Sequence, residues 1–190
     1  MKKELDLNEY YDEYKNKLKY DQLFLDLKTA KSLIEKSNAA KGKVFFSGNG
    51  ASAAISSHAA LDFTKQAKIN SLTFHDPSFM SAYINDYGDE NWLKYAYSNF
   101  FSFNDVAVFI SVSGESLNVV NAAKYIKENF PHKNIITFTG KSSDNTLKNI
   151  GDINFWVDSH SYNIVEGIHM IWLTSIIDMI IGESVYSVSP

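Results

Sequence analysis

Three serines within six residues, Ser111-Val-Ser-Gly-Glu-Ser116, make up the stretch of this sequence whose chemistry is easiest to interpret. It follows an apolar run, Val106–Ile110, and precedes an amphipathic segment that ends before Pro131. This order predicts a buried strand, a turn and a helix. A turn at a helix N-terminus presents unpaired backbone N–H groups and the positive end of the helix dipole, and serine hydroxyls add further donors. The stretch therefore predicts a site for a small phosphorylated ligand, with a simple helix cap as the alternative.

A second turn of related character lies earlier in the chain. Lys43-Val-Phe-Phe-Ser47 predicts a strand, and Gly48-Asn-Gly-Ala-Ser52 follows it and leads into a helix. The glycines allow a close backbone approach, so this turn could hold a sugar or a phosphate. Ala53 stands where the dinucleotide fingerprint needs a third glycine, so we expect no nucleotide cofactor. His58 and Asp62 share one face of the helix and could bind a metal, move protons or form a simple surface pair.

The elements that position these turns follow from the alternation of apolar runs with helical segments. Further strands are predicted at Ser71–Phe74, Asn134–Thr139 and Ile153–Val157, and a last helix from about Asn163 to Ile181. This alternation predicts an α/β three-layer sandwich with a central parallel sheet, in which ligands bind beyond the carboxyl ends of the strands. Asn85 and Asp86 fall in a predicted loop, residues 85–90, where they could hold sugar hydroxyls or simply form a turn.

Composition limits the classes of protein that the chain can be. Its 190 residues, of which 45% are hydrophobic, suit a single domain over residues 1–190. The net charge of −4 argues against a nucleic-acid partner, and the absence of cysteine excludes disulfides and thiolate metal sites. No signal peptide is visible, and the apolar stretch 168–181 is shorter than a bilayer span. We therefore expect a cytoplasmic protein without a membrane segment.

The two ends of the chain differ from its centre. Residues 1–40 predict an N-terminal helical extension rich in large aromatic side chains, namely Tyr10, Tyr11, Tyr14 and Phe24. Such a stripe is more often core or subunit interface than a ligand site, so we expect this segment to form an oligomer interface. Residues 183–190 are expected to be a loose tail.

Several motifs, in their order and spacing over residues 20–182, together resemble the SIS (sugar isomerase) family, and within it the sedoheptulose 7-phosphate isomerases. They are Gly48-Asn-Gly-Ala-Ser52 with His58 and Asp62, Asn85-Asp-Tyr-Gly88, Ser111-Val-Ser-Gly-Glu-Ser116, Thr137-Phe-Thr-Gly140 and Glu166-Gly-Ile-His169. The resemblance implies the SIS, flavodoxin-like fold and aldose–ketose isomerisation of a phosphorylated sugar. It also implies a homotetramer or homodimer with sites at subunit boundaries, and assistance by zinc or another divalent metal.

The resemblance assigns roles to individual residues of this sequence. Substrate or phosphate binding falls to Asn49, Gly50, Ala51, Ser52, Asn85, Asp86, Ser111, Val112, Ser113 and Ser116. His58 matches a metal-binding histidine. In the binding loops, Val112 stands where a threonine is usual and Ala51 replaces a glycine. Four catalytic positions also depart from the pattern: Asp62 replaces a catalytic glutamate, Glu166 a glutamine ligand, Asn163 an aspartate and Thr174 an acid/base histidine. An aspartate is one methylene shorter than glutamate, and misplacing a base by about 1 Å can cost ~100-fold in rate.

We therefore expect a rearranged site. Catalysis is assigned to Asp62, Glu166 and His160, metal binding to His58, Asp62 and Glu166, and a substrate contact to Thr174. His169 lies five residues from Thr174, about 140° around an ideal helix, so it cannot replace the missing histidine unless the helix is rebuilt. It is interpreted as a packed or interface histidine. Retention of His58 beside a carboxylate favours an isomerase. The substitutions leave open a catalytically inactive SIS module that binds a phosphosugar as a ligand sensor or scaffold.

Overall fold

The computed structural model describes residues 4–130 and 134–185, so Pro131 and most of the predicted tail lie outside the described residues. Within these ranges there are eight helices and five strands. The elements are α1 Leu7–Lys17, α2 Leu23–Ala39, β1 Val44–Gly48, α3 Ala51–Lys65, β2 Ser71–Thr73, α4 Pro77–Tyr87, α5 Trp92–Phe100, β3 Val106–Ser111, α6 Leu117–Asn129, β4 Ile135–Gly140, α7 Thr146–Ile150, β5 Ile153–Val157 and α8 Tyr162–Ile181.

The five strands form one parallel sheet in the order β2-β1-β3-β4-β5. Gly48 lies opposite Ile110, and Ser111 lies opposite Thr139, so the carboxyl ends of β1, β3 and β4 meet at one edge. The strand order changes sense between β1 and β3: β2 is added on one side of β1, whereas β3, β4 and β5 are added on the other. The boundary between β1 and β3 is therefore the switch point, where doubly wound folds bind ligands. The predicted α/β class with a central parallel sheet is therefore confirmed.

Both faces of the sheet are covered by helices, and the alternation of side chains along the strands divides the core into two clusters. Phe46 and Phe138 face the cluster that includes residues of α2, α3 and α8, whereas Phe45 and Phe109 face the one that includes residues of α5 and α6. All four rings are fully buried. Burying one such ring contributes about 1.5–3 kcal/mol, so the strands are fixed in register from both sides.

The N-terminal extension consists of two helices with different roles. Helix α2 places Leu27, Ala30 and Ile34 in the core, whereas α1 has no buried residue. Helix α1 is attached to α8 because the Tyr14 hydroxyl donates a 2.8 Å hydrogen bond to the carbonyl of Asn163. The exposed aromatic side chains Tyr11 and Phe24 remain available for the interface that the sequence predicts, which is still a prediction.

Two expectations from the sequence need correction. Asn85 and Asp86 lie in the last turn of α4 and not in a loop, since α4 continues to Tyr87 before Gly88 ends it with a positive φ of 75°. The apolar stretch near the C-terminus belongs to a 20-residue helix, α8, which by length and composition could cross a membrane. Its residues Ile164 and Ile168, among others, pack into the core, which explains its hydropathy within this fold.

Candidate active site

A small cavity of about 120 Å³ lies at the carboxyl edge of the sheet, next to the switch point. Its walls come from the turn after β1, the turn after β3 and the first turns of α8. The lining residues are Asn49, Ser52, Ser111, Val112, Ser113, Ser116, Tyr162 and Glu166. The structure thus brings together both turns that the sequence singles out.

The serine turn has the geometry of an anion cradle. Ser111 ends β3, and its hydroxyl donates to that of Ser116 over 3.2 Å while accepting from the N–H of Gly114 over 3.2 Å. Ser116 is the N-cap residue of the 13-residue helix α6, and its hydroxyl makes no hydrogen bond to the helix backbone. The positive end of α6, its unpaired N–H groups and the hydroxyl of Ser113 therefore lie at one cavity wall.

A contact from the next strand unit holds this turn in place. The carboxylate of Glu115 accepts hydrogen bonds from the backbone N–H of Thr146 at 2.7 Å and from its hydroxyl at 2.8 Å. Beside this pair, Leu147 donates from its N–H to the carbonyl of Gly114 over 3.0 Å. Gly114 has a φ of +69°, and a Cβ there would collide with the buried side chain of Asn145. The start of α7 therefore fixes the backbone of the cradle.

The turn after β1 is attached to the same wall by a reciprocal amide pair. Asn49 and Asn118 each donate an Nδ2–H to the other's Oδ1 over 2.9 Å. Ser52 is 3% exposed and lines the cavity. Gly50, which has a φ of +56°, and Ala51 are exposed and do not line the cavity. Of the four binding residues predicted in the turn after β1, the structure therefore places only Asn49 and Ser52 at the cavity.

Helix α8 contributes the remaining wall through Tyr162 and Glu166. Burial raises the pKa of the Glu166 carboxyl above its usual value. Tyr162 was not predicted from the sequence, because an exposed tyrosine at the start of an apolar helix gives no local signal of a ligand. Its hydroxyl accepts a 2.9 Å hydrogen bond from Nζ of Lys141, and that nitrogen lies 4.0 Å from the ring centroid.

The predicted metal ligands are not assembled within one chain. Nε2 of His58 lies 3.2 Å from Oδ2 of Asp62, and the other carboxylate oxygen of Asp62, Oδ1, accepts a 3.0 Å hydrogen bond from Nε2 of Gln66. Neither residue lines the cavity that contains Glu166. Among the residues that the structure describes, no group of three histidine, aspartate or glutamate side chains is arranged to hold a metal ion. A single chain therefore does not fit the metal that the family resemblance implies, because His58 and Asp62 supply only two of the three predicted ligands together.

Four other predicted site residues lie outside the cavity. The Thr174 hydroxyl donates to backbone carbonyls one turn earlier in α8, at 3.0 Å, because a threonine inside a helix readily bonds its own backbone. His160 is exposed in the segment before α8. Asn85 and Asp86 are exposed and joined by a 3.0 Å hydrogen bond from amide to carboxylate. Within one chain these side chains do not reach the serine cradle.

The sequence predicts a packed or interface role for His169, and in the structure it is a packed core residue. It is fully buried, and its Nε2 lies 3.0 Å from the carbonyl oxygen of Thr139. Burial lowers the pKa of its imidazole to about 4, so the ring is neutral at physiological pH. It does not line the cavity.

A doubly wound α/β sheet with a hydroxyl-rich anion cradle at its switch point defines a class of proteins that bind small phosphorylated ligands. The family model of the SIS domain matches residues 9–140. The chain therefore belongs to the SIS domain family.

Comparisons with individual proteins agree with this membership. The chain is 30% identical over 155 residues to the phosphoheptose isomerase of Buchnera aphidicola subsp. Schizaphis graminum, covering 78% of each chain. It is 29% identical over 186 residues to that of Shigella dysenteriae serotype 1, covering 95% of each. Among solved structures, the phosphoheptose isomerase of Neisseria gonorrhoeae superposes with a TM-score of 0.81 at 26% identity, over 92% of this chain and 94% of that one.

Proposed function

We propose that this protein is a sugar-phosphate aldose–ketose isomerase that acts on a heptose phosphate of the sedoheptulose 7-phosphate class. The observation that carries the proposal is the convergence of the serine cradle, the Asn49–Asn118 pair and the Glu166 carboxylate on one cavity. The cradle binds the phosphate through hydroxyls and the N-terminus of α6. The relatives named phosphoheptose isomerase support the choice of substrate.

The proposal assigns the proton transfer to Glu166. Aldose–ketose isomerisation removes a proton from the carbon next to the carbonyl, passes through an enediol and returns the proton to the neighbouring carbon, while a second proton passes between the two oxygens. A carboxylate suits both transfers when its pKa lies nearer to the working pH than that of a free glutamate. The raised pKa of Glu166 acts in that direction.

The proposal includes a homo-oligomer, a tetramer or a dimer, in which the site is completed across a subunit boundary. His58 and Asp62 on α3, Asn85 and Asp86 on α4, and His160 lie outside the cavity of their own chain. A neighbouring subunit would be needed to bring such residues to the substrate. Light scattering of the purified protein tests this part, and a monomer at the concentration used for the activity assay would contradict it.

The decisive experiment incubates the purified protein with sedoheptulose 7-phosphate and follows the aldose product, with added zinc and with a chelator. Turnover is expected, and Glu166→Gln is expected to reduce it by about 10²- to 10⁴-fold without loss of binding. Glu128→Gln, an exposed position on α6, is the matched control. Thermal stabilisation by the sugar phosphate without any turnover would favour the inactive binding module instead. The zinc dependence and the cytoplasmic location stay predictions.

A further inference from the structure

Among the residues that the structure describes, no positively charged side chain lines the cavity. A phosphate monoester carries about −1.5 to −2 charges near neutral pH. The residues that line the cavity are hydroxyl, amide and apolar side chains together with Glu166, whose carboxylate can only add negative charge. The N-terminus of α6 supplies about half a positive charge. A cationic side chain beside the cavity wall would balance more of this charge and add to the hydroxyl and N–H donors of the cradle.

Lys141 does not line the cavity itself, but its side chain contacts Tyr162, which does. Lys141 follows Gly140, whose N–H donates a 3.0 Å hydrogen bond to the carbonyl of Val112 within the serine turn. Its own N–H donates to the carbonyl of Ser159 over 3.0 Å, and its φ of +53° lies in the left-handed region that lysine rarely adopts. Two neighbouring elements therefore hold the backbone of Lys141 at the edge of the cradle in a conformation with an energetic cost.

The side chain of Lys141 has a neutral partner, as do those of Lys68 and Lys148. Its Nζ donates to the hydroxyl of Tyr162, a cavity residue, whereas Lys17, Lys31 and Lys127 each pair with a carboxylate. In the part of the chain that the structure describes, no carboxylate oxygen lies within 4.0 Å of Nζ of Lys141. A half-buried ammonium with a neutral partner keeps its charge uncompensated, and two of its three N–H donors remain for a ligand.

We propose that Lys141 is the countercharge for the phosphate group of the substrate, and that Tyr162 is the residue that positions it. This inference rests on the proposed function only in taking the ligand to be a phosphorylated sugar. Lys141 binds a part of the substrate that does not react, so it stabilises ground state and transition state alike. Its removal then raises KM and leaves kcat nearly unchanged.

The test measures the Kd of inorganic phosphate and of sedoheptulose 7-phosphate by calorimetry at low ionic strength. Lys141→Met keeps the length of the side chain and removes the charge, and it should raise both Kd values by about 10- to 100-fold. Lys141→Arg should recover part of the affinity. Tyr162→Phe keeps the ring and removes the hydroxyl, and it should weaken binding less than Lys141→Met.

Lys148→Met is the matched control. Lys148 is also half-buried, lies 5.1 Å from the ring of Trp156 and donates to a backbone carbonyl, but neither contact belongs to the cavity. Its removal should change either Kd by no more than about twofold. Equal affinities of Lys141→Met and Lys148→Met would overturn the role of Lys141. Failure of the wild type to bind phosphate would overturn it too, whereas phosphate binding that depends on Lys141 without isomerase turnover would remove only the proposed activity.

Discussion

Replacing Glu115 by alanine tests whether the phosphate cradle is held in place by its contact with α7. The variant loses both hydrogen bonds to Thr146, at 2.7 and 2.8 Å, and leaves the first N–H of α7 without this acceptor. Because Glu115 is exposed, water replaces part of the loss, and we expect a decrease of about 1 kcal/mol in the free energy of unfolding. In a chain of this size that lowers Tm by about 2–4 °C.

The Kd of phosphate shows whether Glu115 positions the serine turn or only stabilises the folded protein. With its outer end released, the turn no longer presents Ser113 and Ser116 in one geometry, so the Kd of inorganic phosphate should rise about three- to tenfold. Thr146→Val, which keeps the N–H and removes the hydroxyl, should give a smaller effect that is not additive with Glu115→Ala. Glu128→Ala is the control for loss of an exposed carboxylate. A lowered Tm with an unchanged Kd would refute the positioning role, and no change in either would refute the contact itself.

The other predictions concern the cradle and Glu166. Ser113→Ala and Ser116→Ala should abolish the thermal stabilisation by a sugar phosphate, and unchanged melting shifts would show that the turn does not bind it. Gly114→Ala should lose at least about 2 kcal/mol of stability, seen in urea unfolding, because it forces an L-residue into positive φ against Asn145. The folded pKa of Glu166 lies above its usual 4.5, so the folded state holds the proton more tightly and stability falls as pH rises from 4.5 through the raised pKa. Glu166→Gln should remove this slope in melts at several pH values, and an identical slope in both proteins would contradict the assignment.

Local patterns were sufficient to predict the sheet and the cradle. Val106–Ile110 is apolar throughout because β3 is buried on both faces, and a fully apolar strand followed by a Ser/Gly turn and an amphipathic helix has few other solutions. A similar pattern, an apolar run followed by a glycine turn, predicted β1 and the turn after it. Each of these patterns lies within about a dozen residues, so the local order of apolar, turn and polar residues is enough to predict it.

The contacts that could not be predicted from the sequence join residues that lie far apart along the chain. Glu115 binds Thr146 across 31 positions, and Lys141 meets Tyr162 only because β4 ends beside the start of α8. The loop predicted around Asn85 was wrong for a different reason: its turn residues are the end of α4, where Gly88 takes the positive φ that closes the helix. A signal for Lys141 was present, since a lysine directly after the glycine that ends a strand lies at the ligand-binding edge of a parallel sheet.

The Glu166 carboxylate bears on the choice between the two proposed functions. A carboxylate in the cavity wall repels the phosphate of a ligand, and burial already disfavours its ionised form, although it can accept hydrogen bonds from sugar hydroxyls. An amide of the same shape would bind the ligand more tightly. Unlike an amide, the carboxylate can exchange a proton, which isomerisation needs. Glu166→Gln therefore changes the two properties in opposite directions in an isomerase: phosphate affinity is kept or increased, while turnover is lost. In a pure binding module the same substitution would change the affinity alone.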